Sequence, residues 1–300
     1  MLLSGLALVL LSAIFHAASN VPLKQSTDKL AFAWWMLAAF CIPALPAIFF
    51  IPSVKPVAWM IVVGSGLLEA IYFVALARAY TAGELSVIYP ITRGSAPLFL
   101  LCWALVFLGE RPTRYGLLGI FVVVAGLYLL HPPPSVATNS GESRWRPTMW
   151  ALMTGFTISI YSALDKIGIQ YFSPFVYLWL ILLVCWIALS PQWLFANRRV
   201  ALLREIGVIS RGDDPFNGNG KIGKRLMYIF AVAVVGTIAY LLVLAALRFT
   251  PVSYVTPVRA SSVVITTWIG VRYLDEQGGM RRITASLLVA TGIALIAFAG

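Results

Sequence analysis

The sequence predicts an all-α polytopic membrane protein with ten transmembrane helices, arranged as two five-helix repeats of inverted topology. Three observations predict this fold class: an apolar composition, segments of membrane-spanning length, and an internal repeat. Of the 300 residues, 60% are hydrophobic and only 11% are charged, whereas an average soluble domain is about 25% charged. A soluble core could not cover so much apolar surface, so we expect the chain in a lipid bilayer.

Short polar breaks divide the chain into apolar segments near the length of about 20 residues that a helix needs to cross a bilayer. The predicted spans are approximately Leu2–Ala18, Ala31–Ile51, Ala58–Tyr80, Leu85–Leu108, Tyr115–Leu130, Met149–Leu164, Phe175–Phe195, Met227–Leu247, Val252–Tyr273 and Ile283–Ala299. No Lys or Arg precedes the first span, so it lacks the charged region of a cleaved signal peptide.

A Pro- and Ser-rich stretch divides the chain into two halves. We assign residues 1–131 to the first repeat, 132–147 to a linker and 148–300 to the second repeat. The second repeat contains a basic loop at residues 196–226. A short amphipathic segment around Val200–Ile209 is an alternative there, but we predict a solvated loop.

The two halves repeat the same residue pattern. Pairs at a spacing of 167 residues are Ser86 with Ser253 and Pro90 with Pro257; pairs at 166 are Arg93 with Arg259, Ser95 with Ser261, Glu110 with Glu276, and Gly126 with Gly292. In the leading helices, Lys24 matches Lys166. Such a repeat is a strong signal of architecture. Because five spans is an odd number, the second copy enters the membrane from the opposite face, and inverted repeats are typical of transporters.

The repeated segments resemble a known family. "ALARAYTAGELSVIYP" in the first half and "LAALRFTPVSYVTP" in the second share Ala-Leu before a polar turn and a proline within the next helix. A glutamate then closes the fourth helix and a glycine lies in the fifth. This pattern resembles the EamA repeat of the drug/metabolite transporter superfamily. The resemblance implies a ten-helix secondary transporter, and its relatives move amino acids, sugars, nucleotide derivatives or drugs.

Each half places an arginine inside an apolar span. Arg93 lies eight residues past Leu85, about 12 Å along a helix, and therefore near the middle third of a hydrocarbon core about 30 Å thick. A central arginine costs about 2.5–3.5 kcal/mol. The large apolar side chains of the same span contribute about 0.3–0.6 kcal/mol each, so the helix can insert if the arginine avoids lipid.

Pro90 and Pro257 are predicted helix kinks. Proline cannot donate to the carbonyl four residues earlier, which belongs to Ser86 in one half and Ser253 in the other. Freed backbone groups at membrane depth must face protein or a wet cavity. We therefore predict that both helices line a central cavity, with a packing kink and a structural arginine as the alternative.

Glu69 lies in the middle of the third span, and a carboxylate there is a functional candidate. It is either ionised and paired with Arg93, or protonated and thus the candidate for proton coupling. Its counterpart at the 167-residue spacing is Gly236. Arg259 thus lacks an obvious acid and is a candidate to bind a carboxylate or phosphonate; pairing with Asp165, Glu276 or a backbone carbonyl is the alternative.

The predicted substrate-binding residues supply cations, a carboxylate, hydroxyl groups and aromatic rings: Arg93, Arg259, Glu69, Tyr89, Tyr72, Ser86, Ser253 and Tyr240. Four other polar residues, His16, Asn20, Asp165 and Lys166, are expected at helix ends, as interfacial or gating residues. Glu110 and Glu276 are expected to be structural or gating charges.

The sequence predicts no enzyme, no cofactor and no metal site. It has no HExxH, GxSxG or P-loop motif and no Cys/His cluster. Three cysteines, Cys41, Cys102 and Cys185, fall within apolar segments and are predicted to be buried free thiols. The net charge of +11 lies mainly in loops, which argues against nucleic-acid binding.

The function expected from these features is secondary transport of a small metabolite or drug by alternating access. Anionic or zwitterionic cargo and proton coupling are the finer options, and a membrane-embedded enzyme or a non-transporting scaffold is the alternative. We expect the bacterial inner membrane as the location and a homodimer as one option. Orientation stays open, because the resemblance implies cytoplasmic termini while Lys and Arg concentrate in the loops that this orientation places outside.

Overall fold

The structure is a computed structural model, and it describes residues 3–82, 85–129, 145–209, 221–262 and 279–299. The helices of these segments are α1 (Leu3–Gln25), α2 (Lys29–Cys41), α3 (Pro56–Ala82), α4 (Leu85–Phe107), α5 (Arg114–Leu129), α6 (Trp145–Gly168), α7 (Pro174–Leu189), α8 (Ala196–Glu205), α9 (Lys221–Leu247), α10 (Val252–Arg259) and α11 (Gly279–Ala299). Short 3₁₀ helices at Leu45–Phe50 and Ser190–Leu194 follow α2 and α7.

The apolar helices make this an all-α integral membrane protein. Three segments are long and apolar enough to cross a bilayer: Pro56–Ala79, Pro174–Leu194 and Ile222–Leu247. The described residues also contain shorter apolar helices at Leu3–Ser19, Lys29–Cys41, Ile91–Phe107, Arg114–Leu129 and Leu287–Phe298. Large apolar side chains such as Phe49 and Phe298 lie on the outer surface, as a lipid-facing surface requires. The full set of ten spans stays a prediction.

Two helices extend past their predicted ends. The sequence predicts that α1 ends at Ala18 and α6 at Leu164, but they continue to Gln25 and Gly168. The longer α6 places Asp165 inside the protein, where only 1% of its surface is exposed, rather than at an interface. Hydropathy ends a span at the first cluster of polar residues, whereas hydrogen bonds from other helices allow the helix to continue.

The basic loop contains α8, where the sequence analysis predicts a solvated loop. The helix packs on α2, with the side chain of Leu202 fully buried. The indole of Trp35 donates a hydrogen bond of 2.9 Å to the carbonyl oxygen of Leu202. Arg198 binds Asp28 at the start of α2, with an N–O distance of 2.6 Å. A helix of this length is marginal alone, so these tertiary contacts explain why it forms.

Helices of one half pack mainly on helices of the other half. The first helix of each half lies against the third apolar helix of the other, because α1 packs on α9 and α6 packs on α3. The last helices, α5 and α11, also pack together. Gly119 meets Gly292 while Gly126 meets Val289, so α5 and α11 run antiparallel. A Cβ atom at Gly119 would lie 2.7 Å from the Gly292 carbonyl oxygen, and only glycine permits this approach.

The loop between α4 and α5 holds the start of α10. The Glu110 carboxylate accepts hydrogen bonds from the backbone N–H groups of Val252 at 2.7 Å and Ser253 at 3.1 Å, and from the Ser253 hydroxyl at 2.6 Å. In return, the Tyr254 hydroxyl accepts from the backbone N–H of Thr113 at 3.0 Å. A carboxylate at a helix N-terminus satisfies its free N–H groups and complements the helix dipole. Glu110 therefore has a structural role.

Candidate functional site

A cavity of about 130 Å³ lies between the two halves. Its polar lining comes from six helices: His16 and Ser19 on α1, Glu69 and Tyr72 on α3, Arg93 on α4, Tyr161 on α6, Thr237 and Tyr240 on α9, and Arg259 on α10. Apolar side chains, including Met36 and Phe40 of α2, form much of the remaining wall. The packing of α1 on α9 and of α6 on α3 brings these groups together, so two arginines and a carboxylate face one space.

The cavity collects most of the predicted binding residues whose side chains the structure describes. These are Arg93, Arg259, Glu69, Tyr72 and Tyr240. Ser253 is placed elsewhere, because it is buried and its hydroxyl donates to Glu110.

Three predicted residues, Ser86, Tyr89 and Pro90, have side chains outside the described part of the chain, and Glu276 lies outside it altogether. The backbone of α4 is helical from Leu85 to Phe107, through the Pro90 position. In the second half, α10 ends at Arg259, shortly after Pro257.

Each of the two cavity arginines, Arg93 and Arg259, lies beside the ring of another cavity residue. The Nη2 atom of Arg93 lies 3.1 Å from Nε2 of His16. A guanidinium group only donates, so the imidazole accepts at Nε2 and carries its proton on Nδ1. The Arg259 guanidinium stacks over the ring of Tyr240, 5.1 Å from its centroid. Its Nε atom is buried and has no hydrogen-bond partner among the described residues.

Glu69 faces the cavity without an ion pair to either arginine. Within the described segments, a salt bridge joins Arg198 to Asp28, which caps α2, but none joins Glu69 to Arg93. The pairing of Glu69 with Arg93, one of the two alternatives offered by the sequence, is therefore not present. The Oε2 atom of Glu69 is buried and finds no hydrogen-bond partner in the same segments. A buried acceptor of this kind can bind a cationic group or a proton.

Asp165, which the sequence places at a helix end, is buried behind the cavity wall. Three hydroxyl groups donate to its carboxylate: Ser65 at 2.6 Å, Tyr177 at 2.8 Å, and Tyr240 through a short hydrogen bond. Tyr240 therefore lines the cavity with its side chain while its hydroxyl binds the Asp165 carboxylate, which lies behind the wall.

The repeat places equivalent positions on the same cavity. Equivalent pairs in which both members line it are Arg93 and Arg259, Glu69 and Gly236, and Phe73 and Tyr240. With the 142-residue spacing of Lys24 and Lys166, Ser19 and Tyr161 form a further lining pair. The cavity therefore lies where the two halves present equivalent helix faces, although the residues at these positions differ in part.

A sequence profile described as the EamA-like transporter family matches residues 3–131 and again residues 145–298. The chain belongs to the EamA-like transporter family. Family members are membrane transporters, so this EamA-like protein is an integral membrane transporter with two family repeats, and the cavity lies between them. Both repeats predicted from the sequence are confirmed by this match.

Structural comparison finds the same fold in a solved protein. One solved crystal structure matches 99% of this chain and 98% of its own chain, with a TM-score of 0.66 and 16% identity, and at that identity the likeness shows the fold alone. No curated protein matches significantly. Among the described residues of this EamA-like protein, no three His, Cys, Asp or Glu side chains are grouped so that they could hold a metal ion.

Proposed function

We propose that this EamA-like protein is a secondary transporter that moves a small anionic or zwitterionic metabolite by alternating access. The observation that carries the proposal is that equivalent helices of the two repeats each bring an arginine, Arg93 and Arg259, to one cavity. Guanidinium groups bind carboxylate and phosphonate oxygens in a bidentate manner. The largely apolar wall lowers the local dielectric and strengthens such contacts.

Glu69 supports two versions of this cargo. If Glu69 is ionised, it can accept a hydrogen bond from the ammonium group of a zwitterion whose acid group binds the arginines. If Glu69 carries a proton, an anion can occupy the cavity without repulsion, and transport is then coupled to protons. The two versions differ in a measurable way, because only the second requires proton movement with the cargo.

The arrangement of helices supports the inverted topology. The antiparallel contact of α5 with α11, which are equivalent helices, is the contact expected when the second repeat enters the membrane from the opposite face. The reciprocal packing of α1 on α9 and α6 on α3 fits the same relation. Inverted repeats can exchange conformations around a central site, which opens it to one side and then the other.

Identification of the cargo is the first experiment. Purified protein is screened by thermal shift against small carboxylates, phosphonates and amino acids, since a ligand at 100 times its Kd stabilises the folded state by about 2.7 kcal/mol. A stabilising compound is then tested for counterflow in proteoliposomes. Saturable counterflow is the expected result, and turnover of the compound without counterflow would instead favour an enzyme.

The role of Arg259 is tested with the same compound. Loss of a charge-assisted hydrogen bond costs about 1.5–3 kcal/mol, so Arg259→Ala is expected to weaken binding about 10- to 150-fold. Arg259→Lys should retain part of the affinity. Arg198→Ala is the matched control, because it removes an arginine outside the cavity. Wild-type binding and counterflow in a folded Arg259→Ala protein would remove Arg259 from the cargo site.

A further inference from the structure

We propose that Asp165 is a positioning residue of the cargo site, which acts on Arg259 through the hydroxyl and the ring of Tyr240. Asp165 is almost fully buried and does not line the cavity, whereas Tyr240 and Arg259 both line it. The inference rests on the proposed function for the role of Arg259 in binding cargo. The position of the Arg259 guanidinium group can nevertheless be measured without cargo.

The Asp165 carboxylate fixes the hydroxyl end of the Tyr240 side chain. Its Oδ1 atom accepts hydrogen bonds from the Ser65 hydroxyl at 2.6 Å and from the Tyr177 hydroxyl at 2.8 Å. Its Oδ2 atom accepts the hydrogen of the Tyr240 hydroxyl through a short bond. Ser65 and Tyr177, on α3 and α7, therefore hold the carboxylate in place while it binds Tyr240 on α9. The Tyr240 ring is thus restrained both at its backbone and at its hydroxyl.

The restrained ring in turn supports Arg259. The guanidinium group lies over the Tyr240 ring, 5.1 Å from its centroid. A cation is attracted to the face of an aromatic ring, and the planar guanidinium group stacks well on one. The Nε atom of Arg259 is buried without a hydrogen-bond partner among the described residues. The ring contact is therefore well placed to set where this guanidinium points in the cavity.

Tyr240 also ends a row of three aromatic rings in the cavity wall. It packs edge-on against Tyr161, with ring centroids 6.4 Å apart, and Tyr161 packs edge-on against Tyr72 at 6.1 Å. Aromatic pairs favour this arrangement at such separations. The row restrains the side of the Tyr240 ring, whereas the bond to Asp165 restrains its tip. Loss of that bond should therefore free the ring to tilt and to carry Arg259 with it.

The first repeat lacks this anchor. The residue equivalent to Tyr240 is Phe73, and the residue equivalent to Asp165 at the 142-residue spacing is Leu23. Both line the same cavity, but neither side chain has a hydrogen-bonding group. A packing contact common to the two repeats does not account for a bond that only one of them can form.

The two cavity arginines accordingly have different supports. Arg93, the equivalent of Arg259, lies beside the imidazole of His16 and not over a tyrosine ring. Arg93 can therefore serve as an internal reference, because loss of the Asp165 anchor should move Arg259 and leave Arg93 in place.

Nuclear magnetic resonance of the purified full-length protein in detergent micelles, with labelled arginine, tests the proposal. The guanidinium signal of Arg259 is assigned by its absence in Arg259→Lys. Protons held over an aromatic ring resonate upfield, so this signal is expected upfield in wild type. Tyr240→Leu should abolish the upfield shift, and Tyr240→Phe, which keeps the ring but frees its tip, should reduce it. Asp165→Asn should also reduce it, because the bond from Tyr240 becomes neutral and about half as strong.

The double variant shows whether Asp165 acts through the Tyr240 hydroxyl. Phenylalanine has no hydroxyl to donate, so adding Asp165→Asn to Tyr240→Phe should cause no further loss of the shift. Such non-additivity is expected of two residues in one contact. Tyr177→Phe is the matched control, because it removes another hydroxyl from Asp165 but leaves the bond to Tyr240. It should keep the upfield shift of Arg259, and the Arg93 signal should be unchanged in every variant.

The proposal is overturned if a folded Asp165→Asn protein keeps the wild-type Arg259 signal, or if the double variant loses more of the shift than Tyr240→Phe alone. An equal effect of Tyr177→Phe would also overturn it, since that result indicates general loosening. Thermal unfolding in detergent identifies variants that lose the fold; if Asp165→Asn is one of them, the comparison of Tyr240→Phe with Tyr177→Phe decides. Counterflow tests the proposed function separately, because wild-type counterflow in Arg259→Ala would refute the cargo role of Arg259 without changing these signals.

Discussion

Glu110 controls the position of α10, and its substitution gives the sharpest structural test. The carboxylate makes three hydrogen bonds to Val252 and Ser253. In Glu110→Gln, one acceptor oxygen becomes an NH₂ group that faces backbone N–H donors. At least one charge-assisted bond is then lost, and the others become neutral bonds of about half the strength. With about 1.5–3 kcal/mol for each charged bond, one lost bond and two halved bonds give an expected destabilisation of about 3–6 kcal/mol.

A double-mutant cycle with Ser253→Ala isolates the contact. Ser253→Ala removes only the hydroxyl bond, which is expected to cost about 1 kcal/mol. Because both substitutions affect the same carboxylate, the double variant should lose less than the sum of the single losses. The measurement is the free energy of unfolding from titration with a denaturing detergent. A loss below about 0.5 kcal/mol in Glu110→Gln, or strict additivity, would refute this account of the helix start.

The substitution Glu110→Gln is also expected to affect the cavity, through the position of α10. α10 begins at Val252, beside this cap, and ends at Arg259, so a loosened start should displace the guanidinium from the cavity. We therefore expect Glu110→Gln to weaken cargo binding although Glu110 lies outside the cavity lining. Binding that is unchanged in a measurably destabilised variant would show that Arg259 is positioned by other contacts.

Two further predictions concern helix packing and the end of the protein that bears α8. In Gly292→Ala, the new Cβ would lie 2.7 Å from the Gly119 carbonyl oxygen, so α5 and α11 must separate and the unfolding free energy should fall by about 1–3 kcal/mol. Gly223→Ala in α9 has nothing within 4 Å of the new Cβ and should not lower the unfolding free energy, because alanine is the better helix former. Burial raises the pKa of Asp28, but the hydrogen bonds from Arg198 and from a backbone amide lower it by a larger amount. The pKa of Asp28 in the folded protein therefore lies below its ordinary value. This stabilisation is present above the pKa of the unfolded Asp and is lost as pH falls through the lower folded pKa. Asp28→Asn keeps the helix cap and should remove this pH dependence of the thermal midpoint.

The helices could be predicted wherever hydrophobicity alone decides them. α4 begins at Leu85, α9 ends at Leu247 and α10 begins at Val252, as the apolar segments indicate. α8 could not be predicted in this way, because its stability depends on contacts with α2 across a long stretch of sequence. Its buried Leu202 is surrounded by charged residues, and the local sequence therefore resembles a loop.

The residues in and around the cavity also differ in how far the sequence reveals them. Arg93, Arg259 and Glu69 could be identified because an ionisable residue inside an apolar span is conspicuous. Asp165 follows its predicted span directly, and hydropathy assigns such a residue to the interface. Its hydroxyl partners come from three other helices, and no local pattern reveals them. Ser253 illustrates the opposite error, since its partner Glu110 is 143 residues away.

The repeat itself separates two classes of residue in the cavity. Groups that both repeats supply, Arg93 and Arg259, keep equivalent surroundings when inverted halves exchange conformations, and this suits a cargo that must be bound from either side. A proton differs from the cargo, because one carboxyl group can release it wherever the cavity is open. Proton coupling, as proposed for Glu69, therefore needs a titratable group in only one copy. Arginines in both repeats and a cavity carboxyl in one repeat are thus the pattern expected if cargo binding and proton coupling are carried by separate residues.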